Sequence, residues 1–407
     1  MRLLSVHTVI RHGDRNNLHG LPNYDNPKLT CRISDSLRMT FPVLGDYQNI
    51  MKDNLRKGGR LPDQTFHGYD IYPDREFCSP GWLTPEGAVQ HILHGQLFKQ
   101  KYLLKHKLLN MQDFEDSLFV RTTDYPRTFQ SAMALLFGFL SKFEIEKLKI
   151  EKADNNTMCS KDTGHPCTCP MVVPFIDTMS ATYKSLRPEL RQSSIGKDLY
   201  SHLAQVLDVG DDALPPPSHI MDNSMVHMCH NLLLPTGPNG QCMKSWAITN
   251  AYNLLAQNGK EQLQEFNRIA RLKFQPLMHE IAERMLMQVM GKSPIKFALY
   301  SGHDTTIEPL AAALNFSGGI WSPYASRIVF ELYAPQEESV DSSAHSIRVL
   351  YNGKVVTKDI PFCKDKMHDS FLGLCPLDAF IKFVRKDNLA DLGETDYNQA
   401  CSKMMDT

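Results

Sequence analysis

The chain has 407 residues, enough for one large domain or two. Its 44 lysines and arginines nearly balance 45 aspartates and glutamates, and no basic stripe with interleaved aromatics runs through it, which sets nucleic acid aside as a partner. Hydrophobic residues at 42% and charged residues at 22% exclude a disordered or collagenous chain and describe a globular protein with a sizeable core.

The first element reads as a buried strand. Leu3 to Ile10 is an apolar run that breaks directly into Arg11-His12-Gly13-Asp14-Arg15. Gly13 lets the backbone turn tightly. Arg11 and Arg15 flank it and can aim forked donors at one oxyanion. His12 is the side chain there that can be a neutral nucleophile near pH 7. Alone, five residues also fit a strand end with solvated charges.

From Asn16 to Pro80 the chain is rich in Pro, Asp and Gly and reads as a long loop bordering a cleft. Thr84-Pro85-Glu86 then has the form of an N-cap with proline at the first helical position. The basic clusters Arg56 to Arg60 and Lys101 to Lys107 read as solvated faces, with contact to a polyanionic glycan as a second use. Leu118-Phe119-Val120-Arg121-Thr122-Thr123-Asp124 repeats the strand-to-turn pattern. It runs into a helix with Phe129, Met133, Leu136, Phe137 and Leu140 on one face. Arg121 leaves its strand at the same relative place as Arg11.

Residues 153–290 read as an insertion. They hold a cysteine-rich segment, a linker with Pro215-Pro216-Pro217, and helical stretches such as the one placing Leu277, Ile281, Met285 and Val289 on one face. The sheet resumes after 291. Phe297 to Gly302 is a third short strand, followed by His303 and by Asp304 in a helix-capping position. Ile328 to Tyr333 and Ile347 to Tyr351 read as strands, Asn352-Gly353 as a hairpin turn, and Pro376 to Lys386 as a last helix. The expected fold is α/β, a mixed, mainly parallel sheet flanked by helices with a smaller, mostly helical cap inserted. Ligands of such sheets bind beyond the carboxyl ends of the strands. Trp82, Trp246 and Trp321 are expected to be packing residues, with a cleft-rim aromatic able to stack on a sugar.

Ten cysteines without a Cys-x-x-Cys pair, and the sequons at Asn155 and Asn315, favour an oxidising compartment. Cys31 is expected to pair with Cys78, with further bridges among Cys159, Cys167, Cys169, Cys229 and Cys242; Cys363, Cys375 and Cys401 remain near the end. A zinc site built from Cys159, His165, Cys167, Cys169, His227, Cys229 and His230 is the competing reading, but the spacings follow no recurrent finger pattern.

Taken together, Arg11 to Arg15, Arg121 to Asp124, His303-Asp304 and the helix start Leu83-Thr84-Pro85-Glu86-Gly87-Ala88-Val89-Gln90-His91 resemble the histidine acid phosphatase family of the histidine phosphatase superfamily. The resemblance implies that His12 attacks phosphorus and becomes phosphohistidine. Arg11, Arg15, Arg121 and His303 would hold the phosphoryl oxygens, and Asp304 would protonate the departing oxygen. Arginines supply the positive charge, so no metal or cofactor is required. The family usually has proline two residues after the second arginine of the first motif; this chain has Asn17. The resemblance divides the chain into an α/β phosphatase core, 1–152 and 291–407, and a helical, cysteine-rich cap, 153–290.

Wording outside the site, including Met228-Cys229-His230-Asn231 and Ser346 to Gly353, is similar to family members that remove the 2-phosphate from xylose in the glycosaminoglycan–protein linkage region. This implies a phosphorylated glycan or other phosphomonoester substrate and a Golgi lumen location. It also implies a possible contact with Golgi glycosyltransferases. Met1 to Ile10 is too short for a signal or a membrane span, so an anchor and stem are expected ahead of the first strand. The alternatives are an acid phosphatase for lysophosphatidate, phosphoprotein or inositol phosphates, secreted or lysosomal, or a phosphate- or glycan-binding protein without turnover. The oligomeric state stays open.

Overall fold

The computed structural model describes residues 1–56, 66, 68–160, 167–172, 188–337, 339–394 and 396–402. His165 and the basic residues Lys57 and Arg60 lie outside them.

Eight strands form one mixed sheet among the described residues: β1 (Arg2–Arg11), β2 (Leu118–Thr122), β3 (Ile150–Lys152), β4 (Phe297–Gly302), β5 (Arg327–Ala334), β6 (Ser346–Tyr351), β7 (Lys354–Val355) and β8 (Cys375–Pro376). Their order is β3-β2-β4-β1-β5-β6-β7, with β8 also paired to β6. The half β3-β2-β4-β1 is parallel, while β5 to β8 add an antiparallel wing. β1 lies at the seam, with Arg11 opposite Gly302 of β4. The carboxyl ends of β1, β2 and β4 therefore open on the same edge. Asn352 and Gly353 take positive φ in the β6–β7 hairpin, as an Asn-Gly turn requires.

Each strand side chain belongs to one of two layers because the side-chain period is two. Val6, Ile10, Leu118, Val120, Phe297 and Leu299 face α1 (Pro85–Phe98) and α2 (Pro126–Leu140). A smaller cluster is built by α3 (Ser194–Leu207), α4 (Pro217–Cys229) and α5 (Ser245–Glu261) around Leu203, Val206, Ile220 and Ala251. On the opposite sheet face, Val9, Phe119, Ala298 and Tyr300 meet α6 (Leu263–Val289), α7 (Asp304–Ala313) and α8 (Leu377–Arg385). Within the stretch 153–290, α6 thus packs on the sheet, whereas α3 to α5 share a core of their own. No described helix is long and apolar enough to cross a membrane.

Four disulfides join Cys31 to Cys78, Cys159 to Cys167, Cys169 to Cys401 and Cys363 to Cys375. Cys31–Cys78 and the bridge between Cys159 and Cys167 are as expected, but the other three middle cysteines need correction. Cys169 reaches the chain end instead, because the short helix Tyr397–Ser402 packs beside Val172, Ile269 and Leu272. Cys229 and Cys242 are free thiols. Cys229 ends α4 near Asp14 and Glu86, and Cys242 contacts the Thr236 hydroxyl at 2.8 Å. The sulfurs of Cys159, Cys167 and Cys169 are covalently paired, which removes them from the zinc reading.

Candidate active site

The turn after β1 is stitched to its neighbours by backbone bonds. Arg11 N–H donates to Ser326 carbonyl at 2.8 Å, and His12 N–H donates to Gly302 carbonyl at 2.9 Å. Gly13 and Gly87 then let the turn meet the first turn of α1. A Cβ on Gly13 would lie 2.3 Å from the Gly87 carbonyl oxygen, and one on Gly87 would lie 2.2 Å from the Asp14 oxygen. Thr84 caps α1 by accepting from Gly87 N–H at 3.1 Å, with Pro85 in the first turn as expected. The Thr84 hydroxyl also donates to Asp14 Oδ2 at 2.5 Å, and His230 from the end of α4 contacts the same oxygen at 2.8 Å. Asp14 is thus a buried anchor of the turn. Asn17, where the family carries proline, is buried and donates through Nδ2 to His19 carbonyl at 2.8 Å. Side-chain bonds replace the stiffness that proline would supply.

His12 Nδ1 lies 2.8 Å from its neighbour's carbonyl, that of Gly13. A carbonyl only accepts, so Nδ1 carries the hydrogen and Nε2 keeps its lone pair. Burial, then the charges of Arg127 and Arg11, push the ring's pKa well below its usual value. His12 is therefore neutral. His303 stands beside it, ring centroids 5.5 Å apart. His303 Nε2 is 2.9 Å from the Thr123 hydroxyl, and its Nδ1 is 3.4 Å from Arg127 Nη2. The guanidinium can only donate, so Nδ1 accepts and Nε2 carries the hydrogen. Burial and the charge of Arg127 lower His303 to about 3.

Arg11 is fully buried and donates to the Ser322 carbonyl, with its Nη2 3.3 Å from Asp304 Oδ2. Arg15 pairs with Asp222 of α4 at 2.8 Å. The third arginine of the group is Arg127, not Arg121. Arg127 sits in the first turn of α2, stacks on Tyr125 at 4.5 Å and touches Gly81 carbonyl and His303. Burial and Arg15 bring its pKa down to about 10, the signature of a cation crowded by like charge. The buried Nε groups of Arg11, Arg15 and Arg127 have no hydrogen-bond partner. Buried donors of this kind normally find one, and three guanidiniums converging on a neutral imidazole suit an anion.

Arg121 is not brought to this cluster. Its Nη1 donates to Glu280 at 2.5 Å and to Met158 carbonyl at 3.0 Å, and its Nη2 donates to Glu151 at 2.9 Å. It shares a strand face with Phe119, against α6, and two carboxylates already neutralise it. Asp304 also differs from expectation in one respect. His303 is the N-cap of α7, and Thr306 Oγ1 accepts from the His303 N–H at 3.0 Å. The Asp304 carboxyl, at the first helical position, accepts from the Thr305 N–H and from the Trp321 indole at 2.6 Å. Burial pulls the Asp304 pKa up, but Arg11, the Trp321 bond and Arg15 outweigh it and hold the carboxyl well below its usual range.

Beside Asp304 lies a cavity of about 390 Å³. Leu18, Tyr252, Leu255, Ile269 and Trp321 give it mostly apolar walls, while Arg15, Asp304 and Glu308 open onto it. Trp321 is thus part of the site and not only of the packing. Trp82 is half-buried under the Arg75 guanidinium, whereas Trp246 is exposed, tilted against His202, and does not pack as expected.

The model of the histidine phosphatase superfamily (branch 2) matches residues 2–181 and 267–352. The human protein named 2-phosphoxylose phosphatase 1 (Homo sapiens) is 32% identical over 405 residues, covering 99% of this chain and 82% of its own. Human lysosomal acid phosphatase is 30% identical over 343 residues, 81% of this chain and 75% of its own. Among solved structures, a Hafnia alvei phytase in complex with tartrate superposes with a TM-score of 0.56 at 17% identity, covering 98% of both chains. That likeness speaks for the fold.

Proposed function

The chain belongs to the histidine phosphatase superfamily, and from that premise we propose that it hydrolyses a sugar phosphomonoester by way of phosphohistidine, removing the 2-phosphate from xylose in the glycosaminoglycan–protein linkage region. One observation carries the reading: a neutral His12, its Nδ1 hydrogen committed to the Gly13 carbonyl, faces a cluster of arginines with its Nε2 lone pair free.

In this reading His12 Nε2 attacks phosphorus in line. Arg11, Arg15 and Arg127 neutralise the phosphoryl oxygens, and His303 adds a donor once an anion draws a proton to its Nδ1. Asp304 protonates the leaving oxygen, then takes a proton from the water that hydrolyses the intermediate. The cap is formed by α3 to α5, and its helices α4 and α5 wall the cavity where the leaving group sits. Four disulfides support folding in an oxidising compartment, here the Golgi lumen.

The test is turnover of a 2-phosphoxyloside by the purified protein, with rapid-quench trapping of labelled phosphate on His12. His12→Ala is expected to abolish both. A phosphoxyloside turned over no faster than glycerol phosphate or lysophosphatidate would refute the substrate assignment. Turnover surviving in His12→Ala would refute the mechanism.

A further inference from the structure

Asp304 and Glu308 stand one turn apart on α7, and both line the cavity. Positions i and i+4 bring the Cβ atoms of a helix to about 5–6 Å, within reach of a direct or single-water contact between carboxyls. Two consecutive residues brace the pair from one side. The Trp321 indole donates to Asp304 Oδ2 at 2.6 Å, and the Ser322 backbone N–H donates to Glu308 Oε1 at 2.5 Å. The Ser322 carbonyl in turn accepts from Arg11.

The surroundings of the two carboxyls differ. Asp304 has Arg11 at 3.3 Å, whereas no described lysine or arginine forms an ion pair with Glu308. The charged groups around Glu308 are Asp304 on its own helix, Arg11 and Arg15 from the turn after β1, Asp222 of α4, and Lys273 of α6. His19 and His219 complete the polar rim of the cavity.

We propose that Glu308 is the proton reservoir of the site, a positioning carboxyl that keeps a proton beside Asp304 and passes it on when the phosphoryl group arrives. The mechanism leaves a gap that this fills. A general acid must hold a proton, yet Asp304 is kept ionised by Arg11 and Trp321. Burial, then the charge of Asp304, pushes Glu308 up to about 8, so it is neutral at physiological pH. Paired carboxyls whose environments drive them apart divide the acid and base roles between them.

The proton count closes. The substrate dianion raises the proton affinity of Asp304. The Glu308 O–H breaks, an O–H forms on Asp304, and Asp304 then protonates the leaving oxygen as the P–O bond breaks with its electron pair on that oxygen. Water next attacks phosphorus, the N–P bond breaks with its pair returning to His12 Nε2, and the water proton goes back through Asp304 to Glu308.

This inference rests on the phosphohistidine reading. It is tested by kcat/KM against pH for wild type, Glu308→Gln and Glu308→Asp, with glycerol 2-phosphate and p-nitrophenyl phosphate. In Glu308→Gln the alkaline limb for the alkyl ester is expected to move down by about one unit or more, and kcat/KM near neutrality to fall about tenfold or more. The aryl ester, a better leaving group, loses less, and Glu308→Asp recovers part of the alkyl activity. An alkyl-ester profile for Glu308→Gln that superposes on wild type overturns the proposal. So does an equal loss on both esters with an unmoved limb. Should Glu308→Gln not fold, infrared titration of wild type decides: a protonated-carboxyl band lost around pH 8 is expected, and its absence overturns the proposal. Wild type without turnover, or an active His12→Ala, breaks the parent reading instead.

Discussion

The imidazoles of His12 and His303 stand 5.5 Å apart at an interplanar angle of 70°, brought together from opposite ends of the chain by the β1–β4 pairing. Both are neutral, because burial and Arg127 disfavour a further positive charge. An anion between them reverses that preference.

Sulfate binding is therefore expected to take up a proton. Sulfate keeps its charge across the mildly acidic to mildly basic range, while His303, held near 3 in the free protein, rises when an anion sits beside its Nδ1. Affinity measured by calorimetry should increase as pH falls. The free protein behaves oppositely. An unfolded histidine titrates at about 6.5, so below that value the unfolded chain binds a proton that folded His303 refuses. Stability falls with pH through this window, by up to about 1.4 kcal/mol per unit for each such histidine. Sulfate affinity independent of pH would contradict the assignment.

Arg127 and Arg121 separate activity from stability. Arg127→Ala should lower kcat/KM about 100-fold or more, as loss of one oxyanion donor does. Arg121→Met should leave KM for p-nitrophenyl phosphate near wild type. It removes one cation from Glu280, which keeps Arg284 at 2.8 Å and the Tyr300 hydroxyl. The destabilisation in urea unfolding is therefore expected to stay below about 3–5 kcal/mol, the cost of a buried pair left uncompensated. The reverse pattern would restore Arg121 to the phosphate site.

Asp304→Asn should hurt sugar or alkyl phosphates more than aryl phosphates, since only the poorer leaving group needs protonation. Activity in wild type should peak on the acid side of neutrality, and EDTA should leave it unchanged. A rate still climbing at high pH, or equal losses on both esters, would remove Asp304 as the proton donor.

The Cys169–Cys401 bridge spans 232 residues, so its loss should release a large amount of chain entropy. A closed loop of that size is worth about 5 kcal/mol in the chain-entropy model. Cys401→Ser should lower Tm and expose the 396–402 segment to protease, while KM for the aryl ester stays unchanged. An unaltered Tm would show that the helix Tyr397–Ser402 docks without help.

Most of the site was legible because its residues sit where apolar strands stop. Arg11 ends β1, His12 and Arg15 follow it, and His303 and Asp304 follow β4; parallel pairing of those strands brings their ends together. Arg121 differs from Arg11 in the partners that meet it and not in strand alternation, since Arg11 likewise follows Val9 of the layer facing α6. Arg121 lies two residues after Phe119, and that face turns towards α6 and Glu280. Arg127 carried a quieter signal, a proline-started helix whose first turn points back at the strand ends. Glu308 gave none beyond its i, i+4 spacing from Asp304. Its significance depends on Ser322 and Trp321, which only the folded chain brings there. The hairpin at Asn352-Gly353 was fixed by local turn chemistry. The pairing of Cys169 with Cys401 depends on how the chain end docks, which no local pattern encodes.

The Arg15–Asp222 contact joins the turn after β1 to α4, and Asp222 also accepts from the Leu18 N–H at 2.6 Å. Arg15 thus meets an incoming anion with part of its charge already answered by a resident carboxylate, while its Nε stays unpartnered. Because that carboxylate belongs to α4, which also walls the cavity, one ion pair is shared between the phosphate cradle and the wall beside the leaving group.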